Sequence, residues 1–464
     1  LRFVIAEGER QYVRRVLLSG LESSDPELVY ERIRNLEPGD PVSQASMIEN
    51  QRRLYDLGIF ARVDTALQNA EGEEQYKYIL YRFEEASKYS LTGGIGAQIG
   101  RIGRGSITSF ESPGGSAGFS PRISLGVSRS NFLGIGHTVS LQTRFSNIQR
   151  RVVTTYLAPQ FKGNPDVSLT FNAIYDDSRD VNTFKAQRQE AVAQINQRLS
   201  RANTIQYRLG YRKISVDNLR IDPDLIPIFS RPVRLGVVSG TFIEDRRDDP
   251  ADATKGIYNT ADVALGSDIF RTRATFTRAL GRNATYHRVG RDMVFARSLS
   301  LGAINSLVED FVPLPERFFA GGASSHRGFP DNQAGPRDLT TGFPLGGKAL
   351  VINTLELRFP LIGDNVGGVL FHDAGNVFSD LDKISFRVNQ RDQQDFDYMV
   401  HALGFGVRYR TPIGPVRLDL AYSINPPRFF GLKGNLQDLL EGRGEATNQQ
   451  ISHFQFHFSL GQAF

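Results

Sequence analysis

The sequence has no cysteine and no tryptophan, and only three methionines in 464 residues. Without cysteine there is no disulfide, no thiolate zinc site and no cysteine nucleophile. Long apolar runs are missing too: no stretch approaches the ~18 consecutive apolar residues of a transmembrane helix. No secretory leader opens the chain. Leu1-Arg2-Phe3-Val4-Ile5 already reads as a strand, so a leader and upstream domains are expected to lie outside this piece. Clustered charge is absent as well. The net charge is +5, but the basic residues are scattered as Arg-x-Arg alternations, which argues against a nucleic-acid partner. Catalytic groupings fail one by one. Gly114-Gly115-Ser116-Ala117-Gly118 fits the hydrolase elbow pattern, yet Pro113 precedes it and a strand-like run follows. That elbow requires a strand before and a helix after. Gly94-Ile95-Gly96 lacks the spacing of a dinucleotide site. His453 and His457 share a strand face but stand about 13 Å apart, too far for one metal. No enzyme, metal or cofactor is expected, and Ser116, Ser324 and Ser325 are expected to be dispensable.

What is present begins with a short mixed segment. Gln11 to Ser19 alternates as a strand and ends at Gly20. Ser24-Asp25-Pro26 offers a capped helix start, with Leu28, Val29, Ile33 and Leu36 as its stripe before Pro38-Gly39. Ser43 opens a second helix lined by Met47, Ile48, Leu54 and Leu57 and stopped by Gly58. Ile59 to Leu67 and Gln75 to Glu84 read as strands. Val13-Arg14-Arg15-Val16-Leu17-Leu18-Ser19-Gly20 and Leu54-Tyr55-Asp56-Leu57-Gly58-Ile59-Phe60 resemble a POTRA domain. The resemblance implies an α+β POTRA domain at 9–87, after the end of a preceding one at 1–8. Its sheet edges would accept an added client strand.

From Tyr89 the texture changes and stays changed. Segments of about ten residues alternate apolar and polar between Gly, Asn, Asp and Pro turns. Examples are Arg122–Arg129, Thr138–Asn147, Val152–Phe161, Val167–Tyr175, Thr204–Ile214, Tyr258–Gly266 and Arg291–Gly302. A period of two means two unlike faces. Many arginines on the polar face fit a wet lumen, and no helix is available to cover a sheet, so closure is the way to remove its edges. At about ten residues per strand plus turns, 88–464 holds about sixteen strands, an even number as a transmembrane barrel requires. One segment, about 305–344, has too much Gly and Pro for a strand. It contains Phe318-Phe319-Ala320-Gly321-Gly322-Ala323-Ser324-Ser325-His326-Arg327-Gly328-Phe329-Pro330. A loop that long is functional or disordered, and its glycines permit positive φ and close backbone approach.

Four stretches carry a wider resemblance. They are Phe242-Ile243-Glu244-Asp245-Arg246-Arg247-Asp248 with Pro250 and Gly256; the loop Gly321 to Phe329; Leu355-Glu356-Leu357-Arg358-Phe359-Pro360 with Phe371-His372-Asp373-Ala374-Gly375-Asn376-Val377-Phe378; and Gly404-Phe405-Gly406-Val407-Arg408 with Thr411-Pro412-Ile413-Gly414-Pro415-Val416-Arg417-Leu418-Asp419. Together they resemble the outer-membrane protein assembly-factor family (BamA-like), over nearly the whole chain. The resemblance implies an all-β transmembrane antiparallel β-barrel after the POTRA domain. It places the barrel in the bacterial outer membrane and the POTRA domain in the periplasm. It implies partners: unfolded outer-membrane β-barrel clients, outer-membrane lipid, and accessory lipoproteins or periplasmic chaperones. TamA-like factors and two-partner secretion transporters are the alternative within the family, and a passive porin is the alternative outside it. The resemblance also implies that the loop folds into the barrel, where Arg327, flanked by Gly328 and Phe329, meets Asp373 and Glu356. A buried arginine needs such an anionic, preferably bidentate partner. Glu356 has inward parity if Leu355, Leu357 and Phe359 face lipid. Asp373 shares parity with Phe371 and Val369, so pattern alone leaves its face open.

The two ends of the barrel are its poorest β-formers. Phe456 to Phe464 resembles the terminal insertion signal of outer-membrane barrels, but Gly461 interrupts it. Gly93, Gly94 and Gly96 fall in the first strand. Closure requires first to meet last, while each glycine weakens pairing. The expected outcome is a weak seam that opens and templates a client strand.

Overall fold

The computed structural model describes residues 9–70, 72, 74–102, 113, 116–250, 252–267, 274–308, 311–363, 365–411, 414–434 and 436–460. The strand expected at Leu1 to Glu7 lies outside the described residues.

The N-terminal unit runs β1 (Tyr12–Ser19), α1 (Pro26–Tyr30), α2 (Gln44–Tyr55), β2 (Phe60–Leu67) and β3 (Tyr76–Glu85), the order read from the pattern. Asp25 caps α1 by accepting the Glu27 N–H at 2.9 Å, with Pro26 at the first helical position. Ser43 caps α2 by accepting the Ser46 N–H at 3.2 Å, and Gly58, with φ +68°, terminates it. The sheet order is β1-β3-β2, with β1 parallel to β3. Val13, Val16, Leu28, Leu54, Ile59 and Ile79 form its core under the helices. Two expectations change. Helix α1 stops at Tyr30, short of Pro38, and Asn35 turns left-handed at φ 57°. Leu36 is still buried, so the apolar stripe reflects packing of a turn and not helix length. Ile48 is 57% exposed and belongs to no core, because α2 packs through Leu54 while Leu57 follows it in the turn.

Sixteen antiparallel strands follow as one closed sheet. They are β4 (Tyr89–Ile102), β5 (Ser116–Phe132), β6 (His137–Ser146), β7 (Gln149–Ala158), β8 (Val167–Ser178), β9 (Lys185–Arg198), β10 (Asn203–Asp217), β11 (Val233–Asp245), β12 (Gly256–Ser267), β13 (Thr275–Val289), β14 (Met293–Val308), β15 (Ala349–Ile362), β16 (Val366–Phe378), β17 (Val400–Thr411), β18 (Gly414–Ser423) and, after a small hairpin β19 (Arg428–Lys433) and β20 (Glu445–Gln450), β21 (Phe454–Leu460). Among the described residues no helix is long and apolar enough to cross a membrane, which says nothing of strands. The outer face carries exposed Leu91, Leu125, Leu141, Leu209, Val263, Leu370, Phe405 and Phe456. The alternation that put these outside puts Arg208, Arg212 and Glu190 in the lumen.

The strand boundaries shift where local geometry intervenes. β7 ends at Ala158, before Phe161, because Gln160 and Lys162 adopt φ 51° and 52°. β14 runs to Val308 by pairing with β13, so the long loop spans 309–348 and not 305–344. Two short helices, α3 (Ile226–Phe229) and α4 (Leu436–Leu440), occur in a region expected to have none.

The barrel's turns grip the N-terminal unit. Asn131 donates to the Ser24 hydroxyl at 2.8 Å, the Asp25 N–H donates to the Gly134 carbonyl at 2.9 Å, and Arg32 donates to Gln160 at 3.2 Å. Gly134, at φ +80°, is required there: a Cβ would fall 2.7 Å from the Ser23 carbonyl oxygen. Glu85 ends β3 and accepts the N–H groups of Glu22, Ser23 and Ser24 at 3.1, 3.0 and 2.8 Å, plus the Ser23 hydroxyl. Burial pushes its carboxyl up, but the hydrogen bonds from Ser23 and Ser24 outweigh that and hold it down to about 2.

Candidate functional site

The long loop folds into the barrel and is shaped by its glycines. Gly321 and Gly322 take φ +120° and +88°. The Gly322 N–H donates to the Phe329 carbonyl at 3.0 Å and closes the tip. Gly328 serves close approach instead of positive φ: a Cβ there would fall 2.7 Å from Ala402 Cβ. Phe329 is fully buried in a core built from loop and wall, with Leu314, Phe318, Ile352, Val377 and Phe429. Ser325 holds the tip together, accepting the Gly321 N–H at 2.8 Å and donating to its carbonyl at 2.9 Å. Its hydroxyl therefore has a structural task, unlike exposed Ser324.

Arg327, 4% exposed, sits on this tip. Its Nε and backbone N–H donate to Asp373 Oδ2 at 2.8 and 2.9 Å, and its Nη2 donates to Asp373 Oδ1 at 2.8 Å. Nη1 reaches Glu356 Oε1 at 2.8 Å, whose other oxygen accepts from Arg358 at 2.9 Å. Asp373 is fully buried. Removing one member of such a pair costs about 3–5 kcal/mol, because the other charge is left buried alone. The ambiguity over Asp373 is resolved by Phe371. Its ring points inward and lies 3.5 Å from Arg327 Cζ, in a cation–π contact. Gly404 makes room for that ring: a Cβ there would fall 2.2 Å from Phe371 Cζ.

Three anchoring residues escaped the sequence reading. His326 Nε2 faces the Val400 carbonyl at 3.0 Å and Nδ1 accepts the Gly328 N–H at 3.2 Å, so the neutral ring carries its proton on Nε2. His457 Nε2 donates to the Arg327 carbonyl at 3.0 Å. His453 precedes β21, bonds the Ser423 carbonyl and stacks on Tyr422, so the two histidines of the C-terminal stretch have separate partners. Glu316, 3% exposed, lies at the loop's start and pairs with Arg212 Nη1 at 3.0 Å. Arg212 stands on β10, five strands from β15 around the barrel. Their shared sequence signal was the location of a charge in the loop or on an inward parity position, which does not identify its partner. The remaining motif residues build turns and wall. Asp245 pairs with Arg247 at 2.7 Å, Gly256 lets the Arg246 carbonyl approach, and Arg408 pairs with Asp419 at 2.7 Å over Gly406.

The junction of first and last strands is the other predicted feature. β21 pairs with β4 at three positions among the described residues, Phe458↔Ile99, Ser459↔Gln98 and Leu460↔Ala97. It pairs with β18 at seven. Gly93, Gly94 and Gly96 are all in β4, whereas Gly461 and Phe464 lie outside the described residues. Ser116 opens β5, with residues 114 and 115 outside the described residues.

Residues 131–464 match the Omp85 superfamily domain. The whole chain is similar to the outer membrane protein assembly factor BamA of Nitratidesulfovibrio vulgaris, 23% identical over 471 residues that cover 52% of that protein. It is similar to BamA of Neorickettsia risticii, 19% identical over 430 residues, covering 91% of this chain and 54% of the relative. The chain thus spans about half the length of the curated relatives it matches. A crystal structure of BamA from Haemophilus ducreyi lacking POTRA domains 1–3 is similar with a TM-score of 0.76 at 20% identity, covering 97% of this chain and 85% of that one. At that identity the likeness is one of fold.

Proposed function

The chain belongs to the Omp85 superfamily, and on that premise we propose that it inserts client β-barrels into the outer membrane, templating them at the junction of β4 and β21. The chain is an outer-membrane β-barrel. The N-terminal unit is read as a POTRA domain in the periplasm. Its strand-helix-helix-strand-strand order and the 97% coverage by the BamA structure support that reading. Its partners are unfolded barrel clients and outer-membrane lipid, with accessory lipoproteins or chaperones delivering the clients. The mechanism needs no reacting group. An open sheet edge in lipid leaves backbone groups unsatisfied at several kcal/mol each, so an exposed edge strongly favours pairing with a client strand.

The observation that carries this is the β4–β21 junction, whose described pairing stops at Phe458↔Ile99 although β21 extends back to Phe454 and β4 extends on to Ile102. Glycines 93, 94 and 96 lower the stability of β4 further, since glycine loses more entropy on ordering and packs no side chain. The cysteine-free background gives a direct test. Gln98→Cys and Ser459→Cys occupy register partners. Their disulfide is expected to abolish insertion of a client barrel into lipid vesicles, and reduction to restore it. Full insertion with the junction quantitatively crosslinked overturns templating at this seam.

A further inference from the structure

The tip of the loop is held on β15 and β16 through Arg327, and on β17 through His326. One further tip contact goes to β21. His457, in the middle of β21 and 4% exposed, donates from Nε2 to the backbone carbonyl of Arg327 at 3.0 Å. That carbonyl is a rigid acceptor. The N–H and guanidinium of the same residue are both held by Asp373, so the acceptor moves only if Arg327 leaves its site. β4, on the other side of the junction, is held differently. On its lumen face, among the residues whose side chains are described, Thr92 donates to the Gly126 carbonyl on β5, and Gly94 and Gly96 have no side chain to reach with.

The geometry points to His457 as a positioning residue, a latch that ties the last strand to the seated loop. Seating of the loop and closure of the β4–β21 junction are then one coupled equilibrium, in which release of His457 frees β21 to leave β4. This rests on the reading of the junction as an opening seam. The coupling is reciprocal by linkage: whatever unseats Arg327 loosens β21, and whatever frees β21 unseats Arg327 to the same extent.

The test uses the full chain in lipid with no client present, so its outcome is independent of insertion. Spin labels at Leu125→Cys on β5 and Phe456→Cys on β21, both native residues exposed on the outer face, report the open fraction from their distance distribution. Trypsin cleavage after buried Arg327, identified by fragment mass, reports unseating of the loop. His457→Leu is expected to raise both roughly three- to tenfold, the effect of one lost hydrogen bond. His457→Gln, whose amide N–H can donate to the same carbonyl, is expected to return both toward native. Asp373→Asn is expected to open the junction as well, and the double variant to open it by less than the product of the single effects. The latch is overturned if His457→Leu leaves the open fraction unchanged, or if His457→Gln is no better than His457→Leu. Should His457→Leu fail to fold, Asp373→Asn decides alone, since an unseated loop beside an unmoved junction is incompatible with coupling. Loss of client insertion with the coupling intact would sink the templating reading and leave the latch standing.

Discussion

Gly404 on β17 and Gly93 on β4 are both strand glycines of the same barrel, and their surroundings differ sharply. A Cβ at Gly404 would fall 2.2 Å from the Phe371 ring and 2.4 Å from the Leu420 carbonyl, and one at Gly406 would fall 2.1 Å from Asp419. A Cβ at Gly93 would meet only Leu125, at 3.9 Å. On the loop-bearing wall glycine is space already filled by a neighbour. At Gly93 it is space left unfilled, although at the next residue, Gly94, a Cβ would fall 2.7 Å from the Ser124 hydroxyl. The same residue type therefore supports rigidity in one place and withholds it in another. Composition cannot distinguish the two; only the register partners can.

The comparison breaks most readily at the lock. Arg327→Glu sets three carboxylates against one another in a buried site and is expected to cost at least about 3–5 kcal/mol. The measurement is the temperature at which the folded barrel converts to its unfolded gel mobility. Adding Asp373→Arg should recover part of the loss; no recovery would show that the pair acts through shape and not charge. Next in size, Gly404→Ala drives a methyl into Phe371 and is expected to cost about 1–3 kcal/mol by the same measurement. Gly93→Val sharpens the contrast from the other side. It meets no obstacle, adds β-propensity of up to ~1 kcal/mol, and should slow client insertion while leaving the unfolding temperature equal or higher. A fall in stability would mean that Gly93 is as tightly packed as Gly404.

The smallest effect is a control outside both walls. Glu85 has its carboxyl depressed to about 2 in the folded unit, below an ordinary glutamate near 4.3. The stability it contributes is fully present above the unfolded value and is lost as the pH falls through about 2. Hydrogen exchange at the Ser23 and Ser24 amides should therefore accelerate in that acid window. Glu85→Gln should remove the pH dependence without altering exchange in β15 or β16.

Much of the fold was legible because strand alternation is a local signal. Leu403 to Arg410 and Val416 to Tyr422 place every side chain once a face is chosen. The partners of Arg327 were legible for a different reason: they came from the likeness to a family, and parity fixed only Glu356. Asp373 needed the orientation of Phe371, which depends on Gly404 thirty-odd residues later in the chain. His457 and Glu316 stayed hidden because their partners are a backbone carbonyl and an arginine on a distant strand, and neither leaves a pattern in sequence. The over-long reading of α1 had a related cause. A buried residue such as Leu36 gives the same apolar signal in a turn as in a helix.

The loop's contacts also carry information about order in time. Glu356, Asp373, the Val400 carbonyl and His457 all lie C-terminal to Arg327 in the chain. When the loop itself has been made, none of the groups that seat its tip exists yet, whereas Arg212, the partner of Glu316, is already present. The loop's near end can thus be moored early, but its tip is not fully met until β21 is in place. A seated Arg327 is in this sense a completion mark: a barrel lacking its last strand leaves the arginine's carbonyl without its donor, and a barrel lacking β15 or β16 leaves its charge without one of its two counter-ions.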